Sequence, residues 1–382
     1  MIIEIRGVQF VNKGAELMLR TIMGTIRARY PNTRFVMELS RNTTIEQYKS
    51  NGIYTKLNLL RGGVDTGDLG RFLPALIREK FHLISENEIN VIIDSSGFAY
   101  GDFWGAKKAQ IRMSNQIKKW KKQGKRIIFL PQAFGPFNNE ELRKSMAVIL
   151  EYADLVFARE KYSMKYLIET APEYSSKVFL SPDFTNLTKG ILPENFNSVD
   201  YQVAIIPNLK MLESKMFKVA NDYYKLLKVF IDKICQKNLK PYFLLHEGGK
   251  DQIVSSAVNN LLDSPIPVIE EADPIKLKGI INTAHAVIGS RFHGLVSALS
   301  QGVPVLCLGW SHKYEALLED YDFSEGLVPL NRIDDKFIED KLGAVLDPLK
   351  RPELLSKLKE SSEVQKRLSE QMWEKVFDHI LL

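Results

Sequence analysis

Short runs of β-branched and apolar residues alternate with longer amphipathic stretches along nearly the whole chain. In the first half, the runs that predict strands are residues 2–6, 34–39, 90–94, 126–131, 155–158 and 178–181. The stretches that predict helices are residues 15–29, 72–85, 106–122, 140–152 and 163–169. An alternation of this kind predicts a mostly parallel sheet that is covered by helices on both faces.

The alternation lapses around residues 182–200, where turn-forming residues collect, and then starts again. The later predicted strands are residues 202–206, 241–246, 268–270, 286–289 and 305–308, and the later predicted helices are residues 217–236, 252–262, 274–282 and 294–301. A chain of 382 residues exceeds the usual ceiling for one hydrophobic core. We therefore predict an α/β protein with two Rossmann-like doubly wound domains that face each other across a cleft. Their expected bounds are 1–185 and 200–350, with a helical tail at 351–382.

The positive charge of the chain is concentrated in one segment. The formal net charge is +6, and nine Lys or Arg residues lie between Lys107 and Arg126 with no acidic residue among them. The helical spacing of the apolar residues predicts a surface helix, and the lysines around its apolar stripe are Lys118, Lys119, Lys121 and Lys122. Such a segment favours an acidic substrate or a peripheral contact with an anionic membrane. No nucleic-acid module accompanies it, so nucleic acid is not an expected partner.

Other features of the sequence bear on location and cofactors. No apolar run reaches the roughly 18–20 residues that span a bilayer, and residues 1–6 resemble a strand rather than a secretory signal. Cys235 and Cys307 lie in apolar stretches, which predicts buried thiols in a reducing compartment. The six histidines lack metal-ligand spacing. We therefore expect a cytoplasmic protein without a metal or a cofactor.

The loops that follow the strands are candidate ligand sites, because doubly wound sheets bind ligands at the carboxyl ends of their strands. In residues 11–16, Gly14 allows a tight turn and Asn12 or Lys13 supplies donors, although an ordinary strand–helix turn explains the motif equally well. Residues 94–105 contain three glycines, two acids and four aromatic residues, which suits a carbohydrate. A long loop pinned by its own aromatic residues is the alternative.

The strongest local signal lies in residues 286–295, where a predicted strand ends in a small-residue turn before a helix. Ser290 can cap the helix or donate to an anion. Arg291 and His293 lie at the positive end of the helix dipole, where a basic side chain is electrostatically unfavourable and therefore indicates a functional role. A guanidinium binds phosphate or carboxylate, and an imidazole donates a proton near neutral pH. An anion site is therefore favoured over a capped helix with a buried histidine.

Two further cations follow predicted strands. Arg159 stands at a strand end beside Glu160, which by itself is typical of an ion pair at a helix start. Lys313 follows the strand at residues 305–308, and by itself it indicates a solvated lysine.

Together these segments resemble the polysaccharide pyruvyl transferase family, from the turn at residues 12–14 to Lys313. The matching motifs are Arg291-Phe292-His293, Ser297-Ala298-Leu299, Gly302-Val303-Pro304, Lys313, Gly135-Pro136 and Ala158-Arg159-Glu160. Ala15 replaces an acidic residue that many members have, and Ser95-Ser96 replaces a fuller glycine run. The resemblance implies a GT-B-like fold with the acceptor on the N-terminal domain and the donor on the C-terminal domain.

The resemblance also implies a reaction. Members move the enolpyruvyl carbons of phosphoenolpyruvate onto two hydroxyls of a sugar as a cyclic ketal and release phosphate. The expected acceptor is a sugar of a lipid-linked repeat unit in exopolysaccharide or capsule biosynthesis, at the inner face of the plasma membrane. The expected catalytic residues are His293, Arg291 and Arg159; the expected donor-binding residues are Ser290, Arg291, His293, Arg159 and Lys313. The candidate acceptor-binding residues are Asn12, Asp94, Tyr100, Asp102 and Trp104.

Several alternatives stay open at this point. His293 is either a general acid or a phosphate ligand, and either Asp94 or Asp102 could accept the hydroxyl proton. Residues 289–309 also resemble the nucleotide-diphosphate loops of GT-B glycosyltransferases and nucleotide-sugar epimerases. A catalytically silent protein that binds a sugar or an anion is the third possibility.

Overall fold

The computed structural model describes every residue except 41–42, 58–59, 62–63, 66–72, 214–219, 310, 331–333 and 381–382. The chain forms two compact units. The first unit comprises Met1–Phe10, Met18–Asp183 and Gln371–Leu382, and the second comprises Val11–Leu17 and Phe184–Glu370. The turn at residues 12–14, which the sequence analysis places in the N-terminal domain, thus belongs to the second unit.

The first unit is built on a parallel sheet. Its strands are β1 (Ile2–Arg6), β2 (Arg34–Met37), β3 (Ile53–Lys56), β4 (Leu60–Arg61), β5 (Val64–Asp65), β6 (Leu83–Ile84), β7 (Val91–Asp94), β8 (Phe98–Tyr100), β9 (Arg126–Phe134), β10 (Leu155–Ala158) and β11 (Val178–Leu180). The sheet has the order β11-β10-β9-β7-β1-β2-β3-β6, and β8 pairs with β9. A separate antiparallel pair joins β4 and β5. The chain order reverses between β1 and β7, which is where a doubly wound sheet opens a crevice.

The second unit contains a smaller parallel sheet. Its strands are β12 (Val203–Ile206), β13 (Pro241–Leu245), β14 (Val268–Glu270), β15 (Ala286–Gly289) and β16 (Val305–Cys307). Their order is β14-β13-β12-β15-β16, and every neighbouring pair is parallel. The reversal therefore falls between β12 and β15, so the loops after these two strands meet at one edge of the sheet.

Helices connect the strands. They are α1 (Lys13–Arg29), α2 (Ile45–Ser50), α3 (Ala75–Lys80), α4 (Ala106–Ala109), α5 (Ile117–Lys122), α6 (Glu140–Tyr152), α7 (Lys161–Thr170), α8 (Lys210–Glu213), α9 (Ala220–Gln236), α10 (Gly248–Asn259), α11 (Pro274–Asn282), α12 (Phe292–Leu299), α13 (His312–Asp320), α14 (Asp335–Leu346) and α15 (Arg351–Ile380). A π-helical turn at Gln110–Ser114 follows α4. Within the described part of the chain, no helix is both long and apolar enough to cross a membrane.

Both sheets are buried on their two faces. In the second unit all four residues of β12 are buried, and so are all five of β13. Side chains such as Ile205 and Phe243 each contribute about 1.5–3 kcal/mol when they leave water. This burial explains why the strands of the second unit are continuous apolar runs rather than alternating ones.

Three sequence expectations about elements are wrong. The predicted helix at 72–85 is shorter: α3 ends at Lys80, and His82, with φ 55°, breaks the helix so that Leu83–Ile84 pairs with β3. The segment 94–105 is not a plain loop, because β8 lies within it. Cys235 is exposed on α9, whereas Cys307 is buried as expected.

Candidate active site

The loops after β12, β13 and β15 bring several polar side chains to the switch point of the second unit. Asn208 follows β12, His246 follows β13, and Ser290 follows β15. All three are buried although they carry polar groups. Buried polar groups must be hydrogen-bonded, so this edge of the sheet is a built structure rather than a solvated turn.

The turn at Ser290 is fixed by two hydrogen bonds to its carbonyl oxygen. Asn208 Nδ2 donates to it at 3.0 Å, and Tyr314 Oη donates to it at 2.8 Å. The backbone N–H of Asn208 donates in turn to Tyr223 Oη at 3.2 Å. These bonds hold the loop that delivers Arg291 and His293 to the start of α12.

Arg291 is enclosed by two carboxylates. Its Nη1 donates to Glu247 and its Nη2 to Asp251. Asp251 also accepts the backbone N–H groups of His246, at 3.0 Å, and of Glu247, at 2.7 Å. Burial opposes the charge of Arg291, but the two carboxylates outweigh it and raise the pKa of the guanidinium. The free cation expected from the sequence is thus already neutralised, while Nε of Arg291 has no hydrogen-bond partner among the described residues.

His293 lies against the first turn of α1. A Cβ atom on Gly14 would overlap the Nδ1, Cγ and Cβ atoms of His293, so only glycine fits there. Asn12 caps this turn, because its Oδ1 accepts from the N–H groups of Gly14 at 2.9 Å and Ala15 at 3.2 Å. Asn12, expected to contact the acceptor, therefore uses its side-chain oxygen to start α1.

His246 is a second histidine in this cluster. It is buried, and its Nδ1 has no hydrogen-bond partner among the described residues. Burial, together with the charges of Arg291, His293 and Lys13, holds the pKa of His246 well below its ordinary value. The imidazole of His246 is therefore neutral near pH 7.

Lys313 reaches the same edge from α13. Its Nζ lies 5.1 Å from the ring centroid of Tyr314 and 5.8 Å from that of Phe292. The ring of Phe292 in turn stands edge-on to His293, with the centroids 5.7 Å apart. The second unit thus brings together four residues expected to bind the donor, Ser290, Arg291, His293 and Lys313.

Arg159, the fifth expected donor residue, lies in the first unit and forms a buried ion pair. Its Nη1 is 3.1 Å from Asp183, and both side chains are almost fully enclosed. Its backbone N–H donates to the carbonyl oxygen of Gln132 at 3.0 Å. The ion pair suggested by its position at a helix start is therefore present, but with Asp183 rather than Glu160, whose carboxylate caps α7 instead.

Asp94 and Tyr100, both expected to bind the acceptor, are buried in the first unit. Asp94 has no exposed surface, and it accepts hydrogen bonds from Ser96, Tyr100 and Gln132 at 3.0–3.2 Å. Tyr100 is equally buried and packs on Phe134 with the ring centroids 5.8 Å apart. Asp94 at the end of β7 and Tyr100 in β8 thus have structural contacts within the first unit, and their assignment to the acceptor stays a prediction.

Asp102 and Trp104 differ from that pair in their exposure. The carboxylate of Asp102 accepts the backbone N–H groups of Asn138 at 2.9 Å and Asn139 at 3.0 Å, so it fixes the turn before α6. Trp104 is 37% exposed, and Lys108 Nζ lies 3.3 Å from its ring centroid. Of the four expected acceptor contacts in residues 94–105, Trp104 keeps the most accessible side chain.

A sequence profile of the polysaccharide pyruvyl transferase family matches residues 12–312. That span exceeds half of the chain and includes both Arg159 and the Arg291-Phe292-His293 motif. The chain belongs to the polysaccharide pyruvyl transferase family. Lys313 immediately follows the matched span. No curated protein matches the chain at a significant level.

Solved structures with the GT-B fold are similar to this pyruvyl transferase family member over its whole length. The S. aureus MnaA–UDP co-structure has a TM-score of 0.60 at 13% identity and covers 100% of this chain and 97% of its own. UDP-GlcNAc 2-epimerase from Neisseria meningitidis bound to UDP-GlcNAc has a TM-score of 0.57 at 11% identity, covering 99% and 100%. At such identities the likeness shows the fold alone, and it confirms the predicted GT-B-like α/β fold.

The sequence analysis missed three residues of the site in this family member. His246, Glu247 and Asp251 all follow β13, in the segment His-Glu-Gly-Gly-Lys-Asp. A histidine and two acids directly after a predicted strand were a usable signal. Such residues can pair with a cation that follows another strand of the same sheet, as Arg291 does.

Proposed function

We propose that the protein transfers the enolpyruvyl carbons of phosphoenolpyruvate to two hydroxyls of a sugar, forming a cyclic ketal and releasing phosphate. The observation that carries this proposal is the pair of buried polar atoms at the switch point of the second unit. Nε of Arg291 and Nδ1 of His246 lack hydrogen-bond partners among the described residues. Arg291 shares the family motif with His293, and the charges of these two residues act on His246. Unsatisfied buried donors are costly, so such atoms point to a ligand.

The donor is expected to bind through fixed rather than mobile groups. Glu247 and Asp251 lock the guanidinium of Arg291, which leaves its Nε–H to donate in one direction. The start of α12 adds the positive end of a helix dipole, and Lys313 adds a further charge at the same edge. Ser290 supplies a hydroxyl beside these groups. A small ligand with a phosphate and a carboxylate matches this donor set.

The reaction needs one proton at the methylene carbon of phosphoenolpyruvate. We assign His293 as the donor of that proton. Transfer of the proton leaves a cationic centre at the adjacent carbon. A first sugar hydroxyl attacks this carbon, the carbon–oxygen bond to phosphate breaks, and a second hydroxyl closes the ketal. One hydroxyl proton restores His293, and the other leaves with the phosphate, so protons and charge balance.

The acceptor that we propose is a sugar of a lipid-linked repeat unit in exopolysaccharide or capsule biosynthesis. The family name supports a polysaccharide-related acceptor, and Trp104 offers an exposed aromatic ring on which a sugar can stack. A lipid-linked acceptor places the reaction in the cytoplasm at the inner face of the plasma membrane.

The test is a phosphate-release assay with phosphoenolpyruvate and a panel of galactosides, mannosides and N-acetylmannosamine glycosides. We expect release that depends on one of the sugars. His293→Ala should lower turnover by about 100-fold or more, as loss of a general acid does. The matched control is His379→Ala, because His379 is half-exposed near the end of α15 and is not among the candidate site residues, so its loss should leave turnover unchanged.

A second candidate is a nucleotide-sugar epimerase or glycosyltransferase, which the fold likeness to UDP-bound and UDP-GlcNAc-bound structures favours. The same assay separates the two functions. Turnover with a UDP-sugar and none with phosphoenolpyruvate would replace pyruvyl transfer by this second candidate. Binding of phosphoenolpyruvate or a sugar without any turnover would indicate a catalytically silent binding protein.

A further inference from the structure

The segment from Phe103 to Asn139 contains nine Lys or Arg residues and no Asp or Glu. Within the first unit, five of its cations have internal partners: Lys119 pairs with Glu86, Lys121 and Arg126 with Asp154, Lys125 donates to the carbonyls of Glu86 and Ile89, and Arg112 donates to Ser96. The sequence analysis counted Lys119 and Lys121 among the membrane-facing lysines, but these two residues hold the first unit together.

The remaining cations of interest are Lys107, Lys118 and Lys122. They are exposed, and none of them forms an ion pair with another described residue. Exposed lysines without carboxylate partners keep their full charge available for an external anion.

Large apolar side chains accompany these lysines on the surface. Phe103 is 67% exposed and Ile111 is 64% exposed. Phe103 rests edge-on against Trp104, with the ring centroids 4.9 Å apart, so its outer face stays open. Since neither side chain is buried in the first unit, the two form an apolar surface that an external partner can cover.

The burial pattern places these residues on one face. The buried positions of the segment are Ala106, Ala109, Met113, Ile117 and Trp120, and they pack into the core of the first unit. The exposed positions are Lys107, Ile111, Asn115, Lys118 and Lys122, whose spacing of three or four residues is that of the opposite helical stripe. Phe103 lies in the turn three residues before the start of α4 at Ala106. We call Phe103, Lys107, Ile111, Lys118 and Lys122 the docking face.

We propose that the docking face holds the first unit on an anionic phospholipid bilayer. Phe103 and Ile111 enter the boundary between headgroups and acyl chains, while Lys107, Lys118 and Lys122 pair with lipid phosphates. The complete lack of acids between residues 103 and 139 gives the charge complementarity. The exposed aliphatic side chain of Ile111 favours lipid over nucleic acid, since it gains nothing from phosphate or from base stacking. This inference goes beyond the proposed reaction and does not depend on it.

The test is co-sedimentation of the full chain with equimolar phosphatidylglycerol–phosphatidylcholine vesicles, with pure phosphatidylcholine vesicles as the reference. We expect binding to the anionic vesicles that weakens with added salt. Phe103→Ser with Ile111→Ser should lower the partition coefficient by about tenfold or more, and so should Lys107→Gln with Lys118→Gln and Lys122→Gln.

Matched controls separate the docking face from general surface effects. Leu349 and Ile253 are 90% and 55% exposed in the second unit, and changing both to Ser should leave vesicle binding unchanged. Lys144→Gln with Lys161→Gln and Lys165→Gln removes three exposed charges elsewhere in the first unit and should have a smaller effect than the docking-face triple.

Two results would overturn the proposal. The first is that the wild-type protein does not sediment with anionic vesicles. This includes the case in which it binds single-stranded RNA instead. The other is a Phe103→Ser, Ile111→Ser variant that is folded by circular dichroism and still binds as the wild type does. Turnover on a short soluble acceptor is measured in parallel and should be unchanged in the Lys107→Gln, Lys118→Gln, Lys122→Gln variant, so failure of docking and failure of pyruvyl transfer give different results.

Discussion

At the scale of single residues, Arg291 is the clearest case in which the surroundings decide what a side chain can do. Its guanidinium has five N–H donors, and Glu247 and Asp251 already bind two of its nitrogen atoms. The same carboxylates fix its orientation, so the Nε–H, which has no partner among the described residues, is held in place before any ligand arrives. Rigid donors of this kind stabilise developing charge without reorganisation.

The network around Arg291 predicts a large stability effect at Asp251. Asp251→Asn leaves a buried guanidinium with one carboxylate fewer, so we expect the free energy of unfolding to fall by about 3–5 kcal/mol. Asp200→Asn is the control, because Asp200 pairs with Lys240 at the surface and should cost less than about 1 kcal/mol. Urea unfolding measures both. Equal losses in the two variants would mean that Asp251 does not compensate a buried charge.

His246 predicts a pH dependence of stability. Its pKa is lowered by burial and by Arg291, His293 and Lys13, whereas in the unfolded chain it titrates near 6.5. Below that pH the unfolded chain therefore binds a proton that the folded chain does not. Its contribution to stability is complete above pH 6.5 and falls by up to about 1.4 kcal/mol per pH unit below it, until the folded pKa is reached.

The check is the unfolding free energy measured between about pH 7 and pH 5, the range in which an ordinary histidine titrates. His246→Gln should flatten the decline relative to the wild type, because it removes the group whose pKa is lowered in the folded chain. An unaltered decline in His246→Gln would show that other groups produce it.

Sequence reasoning located part of the site at this scale. Arg291 and His293 were found because two basic side chains at the positive end of the α12 dipole are unfavourable. This unfavourable placement is local and visible in a few neighbouring residues. Asp251 lies 40 positions away from Arg291 in sequence, so their pairing depends on the strand order, which places β13 and β15 on either side of β12. Composition suggested Asp94 and Tyr100 as sugar contacts, but composition does not reveal burial, and the structure shows that both side chains are buried.

At the scale of elements, the first turn of α1 supports the site. Asn12 caps the turn, and the N–H of Lys13 donates to the carbonyl oxygen of His246 at 3.4 Å. Gly14 then lies directly against His293. The turn that the sequence analysis left between a ligand loop and a plain connection is therefore a support for the proposed acid.

That support can be tested with two glycines of the same helix. Gly14→Ala must displace His293, and we expect a loss in kcat of about 100-fold, the effect of a displacement of about 1 Å at a reacting group. Gly24→Ala meets no atom within 4 Å and should be neutral or stabilise by up to about 1 kcal/mol. Steady-state kinetics and thermal unfolding separate the two effects. Full turnover in Gly14→Ala would exclude the positioning role.

Long periodic elements were predicted well, and short ones were not. The central strands of both sheets are continuous apolar runs, which local sequence defines. β8 has three residues, and it exists because it pairs with the extended end of β9. β6 likewise depends on pairing with β3. A pattern read along the chain does not contain such tertiary pairings.

At the scale of the whole molecule, the repeated strand–helix alternation was enough to predict two Rossmann-like units, whereas the GT-B-like fold was implied by the family resemblance. The reason is that each βαβ step is a local rule applied many times. The function was less accessible, because one fold supports many reactions. Family membership came from a few motifs, whereas the buried atoms of Arg291 and His246 came from the structure alone.

The most direct test of pyruvyl transfer is an NMR spectrum of the sugar product formed from phosphoenolpyruvate in deuterium oxide. Protonation by His293, whose proton exchanges with solvent, predicts a ketal methyl group that carries one deuterium atom. Phosphate should appear in equal amount, and the sugar should gain the mass of pyruvic acid minus water, adjusted for that deuterium. A methyl group without deuterium would contradict proton transfer from His293. A sugar that gains no pyruvyl group while a UDP-sugar is turned over would contradict the proposed function itself.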